Sequence, residues 1–160
     1  MSIRETEKFQ RGRNGEQIVA QALKQDGWMI IPSYDYSGED EHAPRMEGLK
    51  LQFILPDLDA CKDGRRRWAE VKTKRVPTRG RISGKDEHGI PLRHWTHYQA
   101  VERESGCPVW LYIFEESSRE IIRARLSALG EGRHSRSREM GDMIFWLREQ
   151  FELFARVDVA

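Results

Sequence analysis

A tight turn is the feature that most restricts how this chain can fold. Asp63-Gly64 separates two strand-like segments, "LDAC" and "RRRWAEVKT". An Asp-Gly pair between such segments is typical of a two-residue β-hairpin. The turn therefore predicts two antiparallel strands, in which the residues before Asp63 fold back onto those after Gly64.

Acids and a lysine come together if this hairpin forms. Side chains alternate between the two faces of a strand, so Glu70 and Lys72 lie on one face and Val71 lies on the other. By the same rule, Asp57 and Asp59 share a face of the preceding strand. The hairpin allows either aspartate to approach Glu70, so this pattern leaves both open as partners.

Paired carboxylates beside a lysine favour a metal site. Two neighbouring carboxylates repel each other unless a positive charge lies between them. Mg²⁺ suits this position because it binds oxygen ligands and keeps several water molecules. Lys72 beside such an ion would hold an attacking water or stabilise the charge that develops on a phosphate.

The remaining patterns predict both helices and strands. Helical spacing indicates a helix over 14–26, with Asn14 as its N-cap and Gly27 as its stop, and another helix over 94–105. "WMIIPSY" and "CPVWLYIFEE" are typical of strands, and Pro56 interrupts extended structure in "LKLQFILPDLDAC". This order predicts an α/β or α+β fold, in which a central mixed sheet is flanked by helices.

Other segments are predicted as loops or as a C-terminal helix. We expect loops over 35–48, 76–92 and 130–139, where polar and turn-forming residues are concentrated. "EIIRARLSAL" fits either a strand or a helix. The apolar spacing over 142–157 predicts an amphipathic helix.

The composition suits one domain that does not cross a membrane. A chain of 160 residues has the size of a single domain, which we take to span 1–160. No apolar run approaches the roughly 18 residues that a membrane span needs, and no signal-peptide pattern opens the chain. Cys61 and Cys107 form no CxxC pair, so we expect reduced thiols and a cytoplasmic protein, with a disulfide between the two as the alternative.

The distribution of charge indicates a partner more clearly than the total does. The net charge is +1, which gives no reason to expect a nucleic acid. Arginines and lysines are nevertheless concentrated from Arg65 to Arg81, and Glu70 is the only acid among them. A local basic stripe attracts phosphates even on a neutral chain, so we expect DNA contacts here.

The motif around the hairpin resembles the PD-(D/E)XK nuclease superfamily. Pro56-Asp57 comes before the turn and Glu70-Val71-Lys72 after it, and the predicted elements over about 12–115 are most similar to Holliday-junction-resolvase-like members. The resemblance implies a restriction-endonuclease-like core and a metal-dependent DNA endonuclease that acts, in one reading, on branched or junction DNA.

The resemblance also implies roles for individual residues. Asp57, Glu70 and the carbonyl of Val71 would hold Mg²⁺ or Mn²⁺, Lys72 would assist the nucleophilic water, and Glu16 on the first helix would complete the site. Together with the basic stretch, it leads us to expect DNA contacts at these residues: Lys74, Arg75, Arg79, Arg81 and Gln99.

Three alternatives remain open at this point. The first is a nucleic-acid-binding module that keeps the fold without catalysis. The second is a partner protein that assembles through 142–157, whose apolar side chains would be core or a homodimer interface: Ile144, Leu147, Phe151 and Phe154. The third is a zinc site, although the spacings fit no strong zinc pattern: His88, His94, His97, Cys61 and Cys107.

Overall fold

The computed structural model describes residues 3–31, 45–138 and 141–158. Its α-helices are α1 (Ile3–Gln25), α2 (Leu92–Ser105) and the short α3 (Leu126–Leu129), and a 3₁₀ turn lies at Arg148–Gln150. No helix within these residues is long and apolar enough to cross a membrane. The predicted loop over 35–44 lies outside the described residues.

The strands fall into a large central sheet and two smaller ones. In chain order they are β1 (Met29–Ile31), β2 (Arg45–Glu47), β3 (Gln52–Ile54), β4 (Leu58–Lys62), β5 (Arg65–Lys74), β6 (Thr78–Arg79), β7 (Asp86–Pro91), β8 (Val109–Glu115), β9 (Glu120–Arg125), β10 (Arg133–Ser137), β11 (Gly141–Leu147) and β12 (Glu152–Arg156). The six-stranded sheet has the order β1-β4-β5-β8-β9-β12, and the four-stranded sheet has the order β10-β11-β7-β6. β2 and β3 form a separate hairpin.

The central sheet is mixed and has a helix on each face. β5 and β8 run parallel and the other neighbours run antiparallel. Ala69 and Val71 of β5 pack with Leu23 of α1 on one face, whereas Trp68 packs with Val101 of α2 on the other. The predicted architecture of a central mixed sheet flanked by helices is confirmed.

The Asp63-Gly64 turn is confirmed and sets the register of the hairpin. Both residues have positive φ, 51° for Asp63 and 73° for Gly64, as a type I′ turn requires. Lys62 pairs with Arg65, and the antiparallel ladder continues to Leu58 opposite Ala69. Asp57 comes just before Leu58 in the chain, so it lies one step beyond this pair, at the level of Glu70.

Helix α1 begins eleven residues earlier than the pattern predicted, so Asn14 lies inside the helix and the N-cap prediction is wrong. The added segment, "IRETEKFQRGR", contains many good helix formers but lacks the apolar period that marks a buried face. The predicted stop is confirmed, because Gly27 follows the helix with a φ of 86°. The helix predicted over 94–105 is confirmed as α2, which begins two residues earlier and is followed by Gly106 with a φ of 67°.

The C-terminal helix prediction is wrong, because 142–157 forms β11, the 3₁₀ turn and β12. Met143 to Trp146 are all buried, which fits a strand covered on both faces better than an amphipathic helix. Ile144 pairs with Ile90 of β7, so the loops predicted over 76–92 and 130–139 contain strands of this same sheet. Residues 45–47, also predicted as loop, form β2. "EIIRARLSAL" forms β9 followed by α3.

A buried charged network joins the two larger sheets. The carboxylate of Glu115 on β8 lies 2.6 Å from Nε2 of His88 on β7. Arg148 donates to both oxygens of Glu115 and also to Glu120, with N–O distances of 2.7 Å and 3.0 Å for its Nη2. Because His88 and Glu115 are almost fully buried, each compensates for the loss of water around the other.

The edges of the central sheet are β1 and β12. β1 has three residues. β12 pairs with β9 but shifts register between Leu153 and Ala155, which is the mark of a β-bulge.

Candidate active site

A groove of about 420 Å³ lies where the end of β5 meets α1 and the bend before β4. The predicted site residues Glu16, Asp57, Val71 and Lys72 line it. Glu70 does not line the groove, because it is only 1% exposed, but it is hydrogen-bonded to Lys72, which does. The structure thus brings the predicted catalytic and metal-binding residues to one place.

Asp57 is fixed at the end of the hairpin ladder. Its Oδ2 accepts a hydrogen bond from the backbone N–H of Val71 at 2.8 Å. The N–H and C=O of one strand residue point to the same side, so the Val71 carbonyl also faces Asp57. Burial and the negative charge of Glu70 raise the pKa of Asp57 well above its ordinary value.

Glu70 and Lys72 project from the same face of β5, as predicted. The Lys72 ammonium group donates a hydrogen bond to Oε1 of Glu70. Burial alone would lower the pKa of Lys72, but the charges of Glu70 and Asp57 outweigh it, so the pKa is raised and the lysine stays charged. Oε2 of Glu70 is buried and has no hydrogen-bond partner among the described residues.

Glu16 reaches the groove because α1 approaches β5 closely at Gly15. A Cβ atom at Gly15 would lie 1.8 Å from Oγ1 of Thr73, so a larger residue would require Thr73 to rotate or the helix to move away from the strand. Burial and the charge of Glu70 raise the pKa of Glu16. Glu16 is therefore a further acidic group close enough to Glu70 for their charges to repel each other.

The residues present fit a hard divalent cation. The unpartnered Oε2 of Glu70 is an oxygen that a cation would satisfy, and Asp57 supplies a second carboxylate whose charge is otherwise disfavoured. Within 3–31, 45–138 and 141–158, no three His, Cys, Asp or Glu side chains are grouped so that they could hold a metal. The protein ligands would therefore be these two carboxylates and the carbonyl of Val71, and water would complete the Mg²⁺ shell.

Asp59, the other aspartate that the hairpin pattern left open, has a different partner. Arg66 donates to both of its carboxylate oxygens, with an Nε–Oδ1 distance of 2.9 Å. Asp59 does not line the groove. The arrangement is that of a cross-strand ion pair on β4 and β5.

The histidines of the zinc alternative are each hydrogen-bonded to another group. His88 contacts Glu115, and Nδ1 of His97 accepts from the N–H of Ile54 at 2.9 Å. The Tyr98 hydroxyl lies 3.3 Å from Nδ1 of His94. Cys61 and Cys107 are free thiols, and no zinc-like grouping occurs in the described part of the chain.

The predicted DNA contacts are divided among different surfaces. Lys74 and Arg75 line the groove with the candidate site. Arg79 lines a separate depression and pairs with Asp86 at 3.3 Å. Arg81 lies in the turn between β6 and β7, and Gln99 lines a third depression beside Glu102. The structure therefore groups two of the five predicted contacts with the acids.

Sequence reasoning missed two cations on α1. Lys8 and Arg11 line the groove, and Arg11 donates to Glu116 with an Nε–Oε1 distance of 2.9 Å. The pKa of Lys74 is lowered first by burial and then by the charges of Lys72, Lys8 and Arg11. Positions 8, 11, 15 and 16 follow helical spacing, so a helix begun before residue 14 would have placed these cations beside Glu16.

Comparisons with known proteins bear on the fold. Neither family models nor curated proteins match this sequence. Among solved structures, the chain is similar to Hjc, a Holliday junction resolvase from the archaeal hyperthermophile Archaeoglobus fulgidus, with a TM-score of 0.55 and 13% identity. The match covers 88% of this chain and 91% of that one. At this identity the likeness concerns architecture alone, and it confirms the predicted restriction-endonuclease-like core with its mixed sheet between helices.

Proposed function

We propose that this protein is a metal-dependent nuclease that hydrolyses phosphodiester bonds in DNA. The observation that carries the proposal is Oε2 of Glu70, which is buried and has no hydrogen-bond partner among the described residues. It lies beside Lys72 and Asp57, which line a groove with further cations. The fold that the chain shares with a Holliday junction resolvase agrees with this chemistry and favours branched DNA as the substrate.

Asp57, Glu70 and the Val71 carbonyl would hold Mg²⁺ or Mn²⁺. When bound, such an ion supplies Lewis-acid stabilisation of phosphate oxygens and makes water more acidic. The hydrogen bond from the Val71 N–H holds Asp57 in place, so its carboxylate needs little reorganisation before the reaction. Preorganised groups of this kind are the main source of electrostatic catalysis.

Lys72 has two roles in this proposal. Its ammonium group stays charged between the acids, so it can orient a water molecule by hydrogen bonding and stabilise negative charge on the phosphate. Glu16, on the other wall of the groove, has a raised pKa and is placed to accept a proton from that water. Both roles would concern the attacking water, and both residues line the same groove.

The DNA backbone would lie along the cations of the groove. Lys74 and Arg75 extend beyond the acids on the β5 side, and Lys8 and Arg11 stand on α1. Among the described residues, Lys8, Lys74 and Arg75 have no ion-pair partner, so their charges are free for phosphates.

A non-catalytic DNA-binding module is the second candidate. The direct bond between Lys72 and Glu70 favours it, because such a pair also occurs as a simple structural ion pair. Metal binding separates the two candidates, since a module without catalysis has no need of the acids as ligands.

The test combines cleavage with metal titration. Glu70→Gln and Asp57→Asn should each reduce Mg²⁺-dependent cleavage of branched and linear DNA by at least about a hundredfold. Calorimetry should show that both variants lose Mg²⁺ binding. Asp59→Asn is the matched control, since Asp59 is bonded to Arg66 outside the groove, and it should retain metal and most activity. Full activity of a clean Glu70→Gln preparation would show that the site is wrong.

A further inference from the structure

The β2–β3 hairpin, residues 45–54, ends in two exposed leucines. Gly48-Leu49-Lys50-Leu51 forms its tip, which is closed by a hydrogen bond from the N–H of Gly48 to the carbonyl of Leu51 at 2.8 Å. Leu49 is fully exposed and Leu51 is 66% exposed. The tip therefore presents two exposed apolar side chains within four residues, and exposed apolar surface of this kind marks a site of contact with another molecule.

The hairpin base is fixed beside the candidate active site. The N–H of Ile54 donates to His97 on α2 at 2.9 Å, and the Phe53 ring meets His97 edge-on at 6.0 Å. After Ile54 the chain passes through the buried Leu55 and Pro56 directly to Asp57. The base of the hairpin is thus held by α2, next to the proposed metal ligands.

Two histidines of α2 each lie near a cation, His94 near Lys72 of the groove and His97 near Arg45 of the hairpin. Burial lowers the pKa of His94, and the charge of Lys72 lowers it further. Burial likewise lowers the pKa of His97, which also feels the charges of Arg93 and Arg45. Because Arg45 and Arg93 both act on His97, cations of the hairpin and of α2 lie close to each other.

The charges around the leucines favour a polyanion over a second copy of the chain. Arg45 and Lys50 on the hairpin and Arg93 on α2 are exposed and have no ion-pair partner in the described residues, and Glu47 is the acid on the hairpin. In a symmetric dimer the same surface would meet itself, so its net positive charge would meet an equal positive charge on the other copy. DNA phosphates complement them instead.

We infer that the β2–β3 hairpin is a DNA-inserting finger that recognises interrupted duplexes. Resting on the proposed nuclease function, this inference assigns Leu49 and Leu51 to an unstacked base step at a branch point, with Arg45 and Arg93 on the flanking phosphates. Apolar side chains that enter DNA must separate stacked bases, and this costs least where stacking is already broken. The finger would therefore direct Asp57 and Glu70 to branched rather than continuous DNA.

The experiment measures binding in EDTA, so it does not depend on cleavage. Four-way junctions and matched linear duplexes carry 2-aminopurine at the branch point or at the equivalent position, and its fluorescence rises on unstacking. The double variant Leu49→Ser/Leu51→Ser is compared with Ile82→Ser, which changes a side chain 84% exposed in the turn between β6 and β7. Unfolding midpoints and sedimentation are measured for each protein.

The wild type and Ile82→Ser should prefer the junction and brighten its 2-aminopurine. The leucine variant should lose junction affinity about tenfold or more, the scale expected when leucine burial is lost, together with the brightening. Its affinity for linear DNA and its unfolding midpoint should not change. If this variant keeps the junction preference and the rise in 2-aminopurine fluorescence, the finger is refuted. A fall in sedimenting mass with a normal rise in fluorescence would also refute it and would assign the leucines to a dimer interface. A wild type that cleaves DNA with Mg²⁺ but shows no junction preference would refute the finger alone, whereas failure to bind any DNA would refute both proposals.

Discussion

Replacing Gly15 by alanine tests the contact that places Glu16 in the site. Gly15 lies inside α1, where helix propensity alone predicts that alanine is more stable by about 1 kcal/mol. The structure predicts the opposite sign, because the new Cβ would lie 1.8 Å from Oγ1 of Thr73. α1 would have to move away from β5, or Thr73 would have to rotate.

The size of the stability change in Gly15→Ala depends on how much of the clash a rotation of the Thr73 side chain can relieve. Turning the Thr73 hydroxyl away leaves its Cβ 3.1 Å from the new methyl group, which is still tight for two carbon atoms. Overpacking of this kind costs about 1–3 kcal/mol, and the propensity gain of about 1 kcal/mol offsets part of it. We therefore expect a net loss of about 1 kcal/mol in the free energy of unfolding.

Urea unfolding of matched variants decides the sign. Gly12→Ala is the control, because it lies in the same helix with no atom within 4 Å of its new Cβ, and it should raise stability. Thr73→Ala should partly rescue Gly15→Ala, because it removes Oγ1, an atom that is buried without a partner. If Gly15→Ala stabilises the protein as much as Gly12→Ala does, α1 does not approach β5 as described.

Two other predictions concern salt and pH. Lys74→Glu should weaken DNA binding and flatten its dependence on salt, because phosphate contacts release counterions. Arg79→Glu should change this slope less, since Arg79 is paired with Asp86 outside the groove. Equal slopes for both variants in a binding titration would contradict this division. Stability should also fall on acidification. Burial lowers the pKa of His88 below its ordinary 6.5. Burial would raise the pKa of Glu115, but hydrogen bonds from Arg148 and His88 outweigh this effect and hold the pKa below 4.5. Both groups bind fewer protons in the folded state, so the His88 contribution is lost as pH falls through 6.5 and the Glu115 contribution below 4.5. His88→Gln should flatten the upper part of this profile in unfolding titrations, and an unchanged slope there would refute the assignment.

The strands of the site could be predicted because their signals are local. The Asp-Gly turn, the alternation along β5 and the position of Pro56 before Asp57 all lie within one hairpin. The sequence therefore indicated which acids would meet the lysine. The sequence left Asp59 as an alternative, because two residues on the same strand face differ only in their tertiary partners. In the structure, Asp59 is bonded to Arg66 instead.

The other elements depend on contacts that are distant in sequence. Ile144 belongs to a strand only because it pairs with Ile90, and its own segment carries an apolar spacing that also suits a helix. The first half of α1 has few apolar residues, so its helix is invisible to a periodicity argument, and Lys8 and Arg11 remained unassigned with it. Arg79 was predicted as a DNA contact from local charge, whereas its pairing with Asp86 appears only in the folded hairpin of β6 and β7.

The edges of the central sheet have a consequence for solubility at high concentration. Exposed strand edges can recruit strands of other molecules and so start aggregation. Here β1 offers only three residues, and the bulge in β12 between Leu153 and Ala155 interrupts the regular row of donors and acceptors, while Glu152 and Arg156 place charges at its ends. Although Leu153 is half exposed, the described edges of the central sheet give another strand no long, flat row to extend, so we expect little ordered β-aggregation through this sheet when the protein is concentrated.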